Sequence, residues 1–153
     1  MKISAISNRT YTGKEIKPTV TVKNGKTKLT LNKDYTVSYT CNTDIGIASV
    51  IITGKGKYSG TVKKNFNIVP PKPALSVTSS SNSYKLSWKA SKGADGYKVY
   101  VSTGGKYTLY KTIDSADTTS LTIPSNGKKY TFRIKAYKEV YPQTFYSKEA
   151  TNA

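Results

Sequence analysis

Apolar and polar residues alternate in short runs along almost the whole chain. Each run has an apolar side chain at every second position, as expected of strands with one buried face. Turn-forming Gly, Asn and Asp residues separate the runs at intervals of about 8–12 residues, and no helical period is present. The runs are Val20 and Val22; Tyr35, Val37 and Tyr39; Ala48, Val50 and Ile52; Phe66 and Ile68; Tyr84, Leu86 and Trp88; Tyr97, Val99 and Val101; Leu121 and Ile123; and Tyr130, Phe132, Ile134 and Ala136. The pattern predicts an all-β chain built from β-sandwiches.

A proline-rich segment divides the chain near its middle. The prolines Pro70, Pro71 and Pro73 lie almost side by side, which excludes a central strand and favours an extended, semi-rigid connector. We therefore predict two tandem sandwich domains, at residues 1–69 and 74–153, joined by a linker at residues 70–73. The first domain is short for a core that is stable alone. We expect it to gain stability from its neighbour or from a row of such modules.

The chain is strongly basic, with 25 Lys and Arg residues against 8 Asp and Glu residues and a formal charge of +17. Only Arg9 and Arg133 are arginines, so the charge is carried by lysine, which lacks the planar fork that reads guanine or phosphate. Residues 1–69 hold 12 basic and 3 acidic residues, net +9, and residues 70–153 hold 13 and 5, net +8. This even spread favours solubility and diffuse, salt-sensitive attraction to polyanions. We expect no specific nucleic-acid partner.

Several kinds of chemistry are excluded or disfavoured by composition. The chain has no His and a single Cys, Cys41, so Ser-His-Asp and Cys-His catalysis and an intrachain disulfide are excluded. Asp114 and Asp117 would suit acid–base catalysis or calcium, but Asp beside Ser and Thr is typical of turns. We expect no enzyme activity, no cofactor and no metal site, and we expect Cys41 to be a small buried hydrophobic residue.

The chain shows no targeting or membrane segment of its own. No stretch approaches the roughly 18 apolar residues of a membrane helix, so we expect no membrane insertion. Residues 1–6 lack the apolar core of a signal peptide. The sequence therefore indicates either an intracellular protein or a piece of a longer one that begins at an added start codon.

Residues 73–150 resemble a fibronectin type III domain. The resemblance is carried by Pro71 and Pro73, by Leu86-Ser87-Trp88 as second strand, by Ala94 to Tyr100 as third strand with its leading turn, and by Tyr130 to Tyr137 as sixth strand. It implies that Tyr130 forms a tyrosine corner, with its hydroxyl bonded back to the preceding chain. Pro124 departs from the family, which commonly has Leu six residues before this Tyr. No Arg-Gly-Asp is present, so integrin-type recognition has no support.

Residues 3–68 are similar to small Ig-like repeats in surface proteins of Gram-positive bacteria, especially clostridia and their relatives. The matching segments are Tyr11-Thr12-Gly13-Lys14, Pro18 to Val22, Asp34 to Tyr39, Asn42 to Gly46 and Ile52 to Gly60. The resemblance implies tandem modules between a secreted N-terminus and catalytic, adhesive or wall-anchoring parts. It also implies an extracellular, cell-surface or cell-wall location, with the signal peptide upstream of this segment.

Two groups of residues are candidate ligand sites. Tyr137, Tyr141, Phe145 and Tyr146 lie around a predicted loop between the last two strands, where sandwich domains often carry recognition. Exposed Tyr stacks on sugar rings or fills a protein groove, although Tyr is also common at half-buried strand positions. Lys55, Lys57, Lys63 and Lys64 lie around one predicted hairpin and would meet teichoic acid or another anionic glycan. A solvated lysine-rich surface is the simpler interpretation.

These features favour a non-catalytic function. The expected role is a structural spacer and interaction segment of a larger secreted or wall-associated bacterial protein, with neighbouring modules and anionic cell-wall polymers as partners. The alternative is a carbohydrate-binding or adhesin module that uses exposed tyrosines to bind polysaccharide or a host or surface protein. A binder should show three or more exposed aromatic side chains coplanar in one patch, whereas a spacer should show them scattered. A third possibility is an accessory domain of a glycosidase or protease.

Overall fold

A computed structural model describes residues 1–152 as two compact units, Met1–Ile68 and a second that begins at Val69. Every regular element in this described range is a β-strand, which confirms the predicted all-β, two-sandwich fold. Within residues 1–152, no helix is long and apolar enough to cross a membrane.

The first unit contains two sheets. Its strands are β1 (Lys2–Ile3), β2 (Arg9–Thr10), β3 (Val22–Asn24), β4 (Thr27–Lys28), β5 (Tyr35–Thr40), β6 (Gly46–Gly54) and β7 (Thr61–Val69). One sheet has the order β1-β3-β4 and the other the order β2-β7-β6-β5. The predicted alternation holds in β6, where Ala48, Val50 and Ile52 are fully buried. The two-residue strands escaped prediction because they are too short to show a period.

The second unit also contains two sheets. Its strands are β8 (Leu75–Ser79), β9 (Ser83–Trp88), β10 (Gly96–Ser102), β11 (Thr108–Ile113), β12 (Ser120–Pro124), β13 (Thr131–Val140), β14 (Gln143–Tyr146) and β15 (Ala150–Thr151). The sheets have the orders β12-β9-β8 and β11-β10-β13-β14, and β15 pairs with β13. All registered pairs in the second unit are antiparallel.

The core of the second unit is centred on an aromatic pair. The rings of Trp88 and Tyr97 meet edge to face, with 5.3 Å between their centroids, a favourable arrangement for aromatic side chains. The buried Tyr97 hydroxyl accepts a hydrogen bond from the Ser91 N–H at 2.9 Å and donates one to the Ala116 carbonyl at 3.0 Å. Since the only polar atom of Tyr97 outside the backbone is satisfied, the ring is buried at little electrostatic cost.

The predicted tyrosine corner is wrong in its details. Within residues 1–152 the Tyr130 hydroxyl makes no bond back to the preceding chain. The hydroxyl of Tyr84 instead donates to the Lys128 carbonyl at 3.3 Å, and the Tyr130 N–H donates to the same hydroxyl at 3.4 Å. The Tyr84 and Tyr130 rings contact edge to face at 5.9 Å. The corner is therefore closed by Tyr84 of β9, which approaches from a different sheet.

The proline-rich segment is anchored rather than free in solvent. Pro70 and Pro73 are among the fully buried side chains, and the Pro71 carbonyl accepts a hydrogen bond from the Ser91 hydroxyl at 2.7 Å. Ser91 belongs to the second unit. The segment from Pro71 onward is thus held to the second unit by a side-chain bond that the sequence did not reveal.

Cys41 is exposed, which corrects the expectation of a buried thiol. It follows β5 and has a φ of 53°, a left-handed conformation that is uncommon for residues other than Gly, Asn and Asp. The chain turns away from the sheet at this residue, so its side chain faces solvent. The alternation in the sequence extends from Tyr39 to Cys41, but strand β5 ends at Thr40, so Cys41 lies outside the strand.

Candidate interaction surface

Cationic and aromatic side chains share one face of the sheet β11-β10-β13-β14. In the register of β10 and β13, Lys98 lies opposite Lys135 and Tyr100 lies opposite Arg133. Their strand neighbours Tyr97, Val99, Phe132 and Ile134 are fully buried in the core. Because successive side chains point to opposite faces, the four residues point away from the core. We call the surface formed by Lys98, Tyr100, Tyr107, Arg133, Lys135, Tyr137 and Tyr146 the outer face.

The cations of the outer face lie against its aromatic rings. The guanidinium carbon of Arg133 is 3.9 Å from the Tyr107 ring centroid, and the Lys135 Nζ is 5.7 Å from that of Tyr100. The Lys98 Nζ is 5.4 Å from the Tyr146 centroid and donates to the Tyr146 hydroxyl at 3.1 Å. Each contact contributes about 0.5–1 kcal/mol at an exposed site. The cations therefore help to hold the rings in place.

Glu149 joins two of these cations. Its carboxylate accepts a hydrogen bond from Arg133 and one from Lys135, both at 3.0 Å. The hydrogen bond from Lys135, followed by the charges of Lys135 and Arg133, lowers the pKa of the Glu149 carboxyl although partial burial opposes the shift. The positive charge of the outer face is thus partly neutralised by the chain itself.

Tyr137 lies at the end of the outer face and is buried. Its hydroxyl donates to the Asp114 carboxylate, from the loop after β11. Burial, with the Asp114 bond second, raises the pKa of Tyr137 well above its ordinary value. The group therefore stays protonated at neutral pH and serves as a hydrogen-bond donor rather than as a base.

Asp95 fixes the turn before β10 against the end of β13. Its carboxylate accepts a hydrogen bond from the Lys138 Nζ at 2.6 Å and another from the Glu139 N–H at 2.9 Å. Burial by itself would raise the pKa of Asp95, but the bonds from Lys138 and Glu139 outweigh it and lower the pKa. The two bonds hold the Asp95 carboxylate against the end of β13.

Acid is expected to destabilise the second unit through Asp95 and Glu149. Both carboxyls have a lower pKa in the folded chain, so their stabilisation is complete above the unfolded pKa of about 4 and is lost as pH falls through the folded pKa. Asp95→Asn should make the melting temperature fall by fewer degrees between pH 5 and pH 2.5, measured by calorimetry. Asp117→Asn, at an exposed turn position, is the matched control. An unchanged acid slope in Asp95→Asn would contradict the assignment.

The four predicted aromatic site residues do not form one patch. Strand β13 continues to Val140 and β14 begins at Gln143, so the expected loop is a tight turn of two residues, Tyr141 and Pro142. Tyr141 is 98% exposed and stands alone on that turn, whereas Phe145 is buried. Only Tyr137 and Tyr146 are brought together, as a register pair, and Tyr146 is 37% exposed.

The predicted lysine cluster is divided by the strand geometry. Lys55 and Lys57 lie in the loop between β6 and β7, and the Lys55 Nζ donates to the Asn32 carbonyl at 3.0 Å. Lys63 and Lys64 are neighbours within β7, so their side chains point to opposite faces of the sheet. All four are exposed, but they do not converge on one ligand-sized area.

The sequence indicates the direction of the outer-face side chains but not that they lie together. Arg133, Lys135 and Tyr137 occupy the outward positions of one predicted strand, and Lys98 and Tyr100 those of another. The sequence did not show that these two strands are neighbours, because β11 and β12 lie between them in the chain. The pairing of β10 with β13 is the missing information.

The geometry of the outer face does not resemble an open sugar-stacking platform. The rings of Tyr100, Tyr107 and Tyr146 each have a cation of the chain itself within 6 Å of the centroid. The Arg133 guanidinium therefore covers one side of the Tyr107 ring, and a sugar would have to displace it or approach from the other side. The Lys98 Nζ lies at the hydroxyl end of the Tyr146 ring. The fully exposed Tyr141 has no neighbour from the predicted site with which to form a plane.

Two surface grooves accompany these features, and neither is lined by an acidic side chain. One, of about 450 Å³, is lined by Lys2, Ile3, Ser4, Thr21, Lys23 and Gly25, and the other, of about 370 Å³, by Val77, Ser79, Tyr84, Lys129, Tyr130, Thr131 and Asn152. Neither lining includes a carboxylate or a thiol. In the described part of the chain, no three Cys, Asp or Glu residues are placed to hold a metal ion.

No protein-family model matches the sequence, and no curated protein matches it. Matches to solved structures number 21 chains. One of them, titled "Structure of FN3tt mut", is 23% identical, with a TM-score of 0.44, and the match covers 54% of this chain and 91% of that chain.

The strand order defines the class of the second unit. Its first, second and fifth strands form one sheet, and its third, fourth, sixth and seventh form the other, to which the two-residue eighth strand is added by pairing with the sixth. The unit is a β-sandwich with a fibronectin type III-like fold. A fold of this kind carries many functions, so the function has to be argued from the surface.

Proposed function

We propose that the chain is a non-catalytic structural spacer and interaction segment of a larger secreted or cell-wall-associated bacterial protein. The observation that carries the proposal is the succession of two compact β-sandwich units along one chain. Such units resist extension because strands must be separated before the chain lengthens. In this role the segment holds a neighbouring active or adhesive domain at a distance from the wall.

The state of the acidic residues supports a non-catalytic role. Asp95, Asp114 and Glu149 are bonded to Lys138, Tyr137 and the Arg133–Lys135 pair. In the first unit, the Asp34 carboxylate accepts a bond from the Thr30 N–H at 2.8 Å and Glu15 pairs with Lys17 at 2.6 Å. The bonds of these carboxylates hold turns and strands in place. A catalytic carboxylate would instead be directed at a substrate.

The bacterial origin and wall location rest on the first unit. Its segments Tyr11 to Lys14, Asp34 to Tyr39 and Ile52 to Gly60 are similar to the Ig-like repeats of Gram-positive surface proteins. In this proposal the first unit is one such repeat, the signal peptide lies upstream, and the neighbouring modules of the same parent chain are its partners. The lysine surface adds contact with anionic wall polymers.

Binding to polymers at two ionic strengths tests the proposal. The chain should be retained on anionic cell-wall polymer at about 50 mM salt and released at about 300 mM, because exposed charges are screened beyond about 6 Å at the higher concentration. Neutral polysaccharide should not retain it at either concentration. Retention that survives 300 mM salt and falls in Tyr141→Ala or Tyr146→Ala would contradict the spacer role and establish the carbohydrate-binding alternative.

A further inference from the structure

Strand β5 forms one edge of the four-stranded sheet of the first unit. It pairs with β6 from Tyr35 to Thr40 in an unbroken antiparallel register. Its sequence, Tyr-Thr-Val-Ser-Tyr-Thr, has no charged residue and no proline. Because an edge strand exposes a row of unpaired backbone groups, the other side of β5 is a template for a further strand beyond Tyr35, whose outer side is already bridged by Leu31.

Two backbone hydrogen bonds show which groups of β5 point outward. The Tyr35 carbonyl accepts a bond from the Asn32 N–H at 2.7 Å, and the Lys55 N–H donates to the Asp34 carbonyl at 2.9 Å. Tyr35 and Gly54 are therefore a non-hydrogen-bonded pair of the ladder, and by alternation Val37 and Tyr39 direct their N–H and C=O groups away from β6. Among residues 1–152 these four groups have no backbone partner.

Other long edges of the described sheets are protected. Strand β11 carries Lys111, and its register with β10 is broken by a bulge. Strand β12 ends at Pro124, and β8 is only five residues long and follows Pro73 closely. Lysine, proline, bulges and short length are the usual means of blocking strand addition. Strand β5 carries no lysine, no proline and no bulge, and with six residues it is the longest uncharged edge in the described chain.

The surroundings of β5 favour an acidic partner. Lys33 lies just before the strand, and the backbone bond from Lys55 to Asp34 places a second lysine at the same end. Asp34 is the one carboxylate beside these two lysines, so the three side chains leave a net charge of +1 at this end of the strand. A second copy of this chain is a poor partner because each copy carries a net charge of +17.

We propose that the β5 edge binds an extended acidic peptide segment of another protein by strand addition. The Val37 and Tyr39 backbone groups supply the hydrogen bonds, and Lys33 and Lys55 supply the preference for acidic side chains. In such pairing, main-chain hydrogen bonds supply the affinity and side-chain contacts supply the specificity. The site is separate from the outer face of the second unit, and it does not depend on the spacer role.

The test uses the whole chain, labelled with ¹⁵N, and a blocked octapeptide of alternating valine and glutamate. At low salt the peptide should shift the Val37 and Tyr39 amide resonances and slow their hydrogen exchange. A peptide of alternating valine and lysine should bind at least about tenfold more weakly. Shifts centred away from β5, or equal binding of the lysine peptide, would overturn the proposal.

Two changes separate strand pairing from simple charge attraction. Val37→Pro removes one outward donor without touching a bond to β6, and it should weaken binding at least about fivefold. The glutamate peptide with an N-methyl group on every amide keeps its charge but cannot donate from either edge, so its binding should be lost. This arm needs no protein variant. Undiminished binding of the N-methylated peptide, or concentration-dependent self-association of the chain in place of peptide binding, would overturn the proposal.

Discussion

Replacing Gly96 by alanine is expected to unfold the second unit. A Cβ at this position would clash with the carbonyl oxygen of Ile113 and lie 3.1 Å from the N–H nitrogen of Ser115. Both are backbone atoms, so no side-chain rotation relieves the clash, and β10 would have to separate from β11. Overpacking of this severity should cost more than the usual range of about 1–3 kcal/mol. Calorimetry should show the melting transition of the second unit lowered by at least about 10 °C or lost.

Gly127→Ala is the matched control for Gly96→Ala. Gly127 also lies in the second unit, but a Cβ there would meet no atom within 4 Å, and its φ is +71°. The cost is therefore limited to left-handed backbone strain, about 1–2 kcal/mol. If the second unit melts at no lower temperature in Gly96→Ala than in Gly127→Ala, the inferred close approach of β10 and β11 is contradicted.

Trp88→Ala is expected to have the second largest effect. Trp88 is buried between the sheets and packs edge to face on Tyr97, and removal of a core aromatic side chain costs about 3–5 kcal/mol. A unit of this size has a total stability of about 4–13 kcal/mol. The second unit of the variant should therefore lose a large share of its stability, so its amides should exchange clearly faster near 37 °C while the amides of the first unit stay protected.

Trp88→Phe distinguishes packing from hydrogen bonding at the same site. In the described chain the Trp88 Nε1–H is buried and has no hydrogen-bond partner, so replacing Trp88 with phenylalanine removes no hydrogen bond. The substitution should cost clearly less than Trp88→Ala and should preserve the fold. Equal destabilisation by the two variants would show that the indole N–H has a role that its surroundings do not reveal.

The sequence predicted the strands that bury one face and missed the details that depend on distant contacts. Alternation in residues 84–88, 97–101 and 130–136 gave mostly correct core side chains, because burial follows the period of the strand. Tyr84, Val101 and Tyr130 are only partly buried and pack against that core. The burial of Tyr137 was missed because its neighbours are distant in the chain: its hydroxyl bonds to Asp114, 23 residues earlier, and Tyr146 lies beside it in the sheet. Alternation assigns a face to each residue, but it does not say whether that face is covered.

Turn lengths explain the largest difference at the candidate site. Tyr141 and Pro142 suggested a recognition loop, yet the strands continue up to both residues and leave a two-residue turn. Proline is a strong turn signal but says little about loop length. The charged part of the outer face could be predicted only from the pairing of β10 with β13. The pattern of a single strand does not contain that pairing.

The most direct test of the central claim is to stretch the single chain between its ends. Two separate modules should unfold in two abrupt steps, with fully extended lengths of about 240 Å for residues 1–68 and about 300 Å for the remainder. Gly96→Ala should remove the longer step and leave the shorter one. A single cooperative step, or smooth extension without steps, would contradict the proposal that this chain is a spacer built from two force-bearing β-sandwiches.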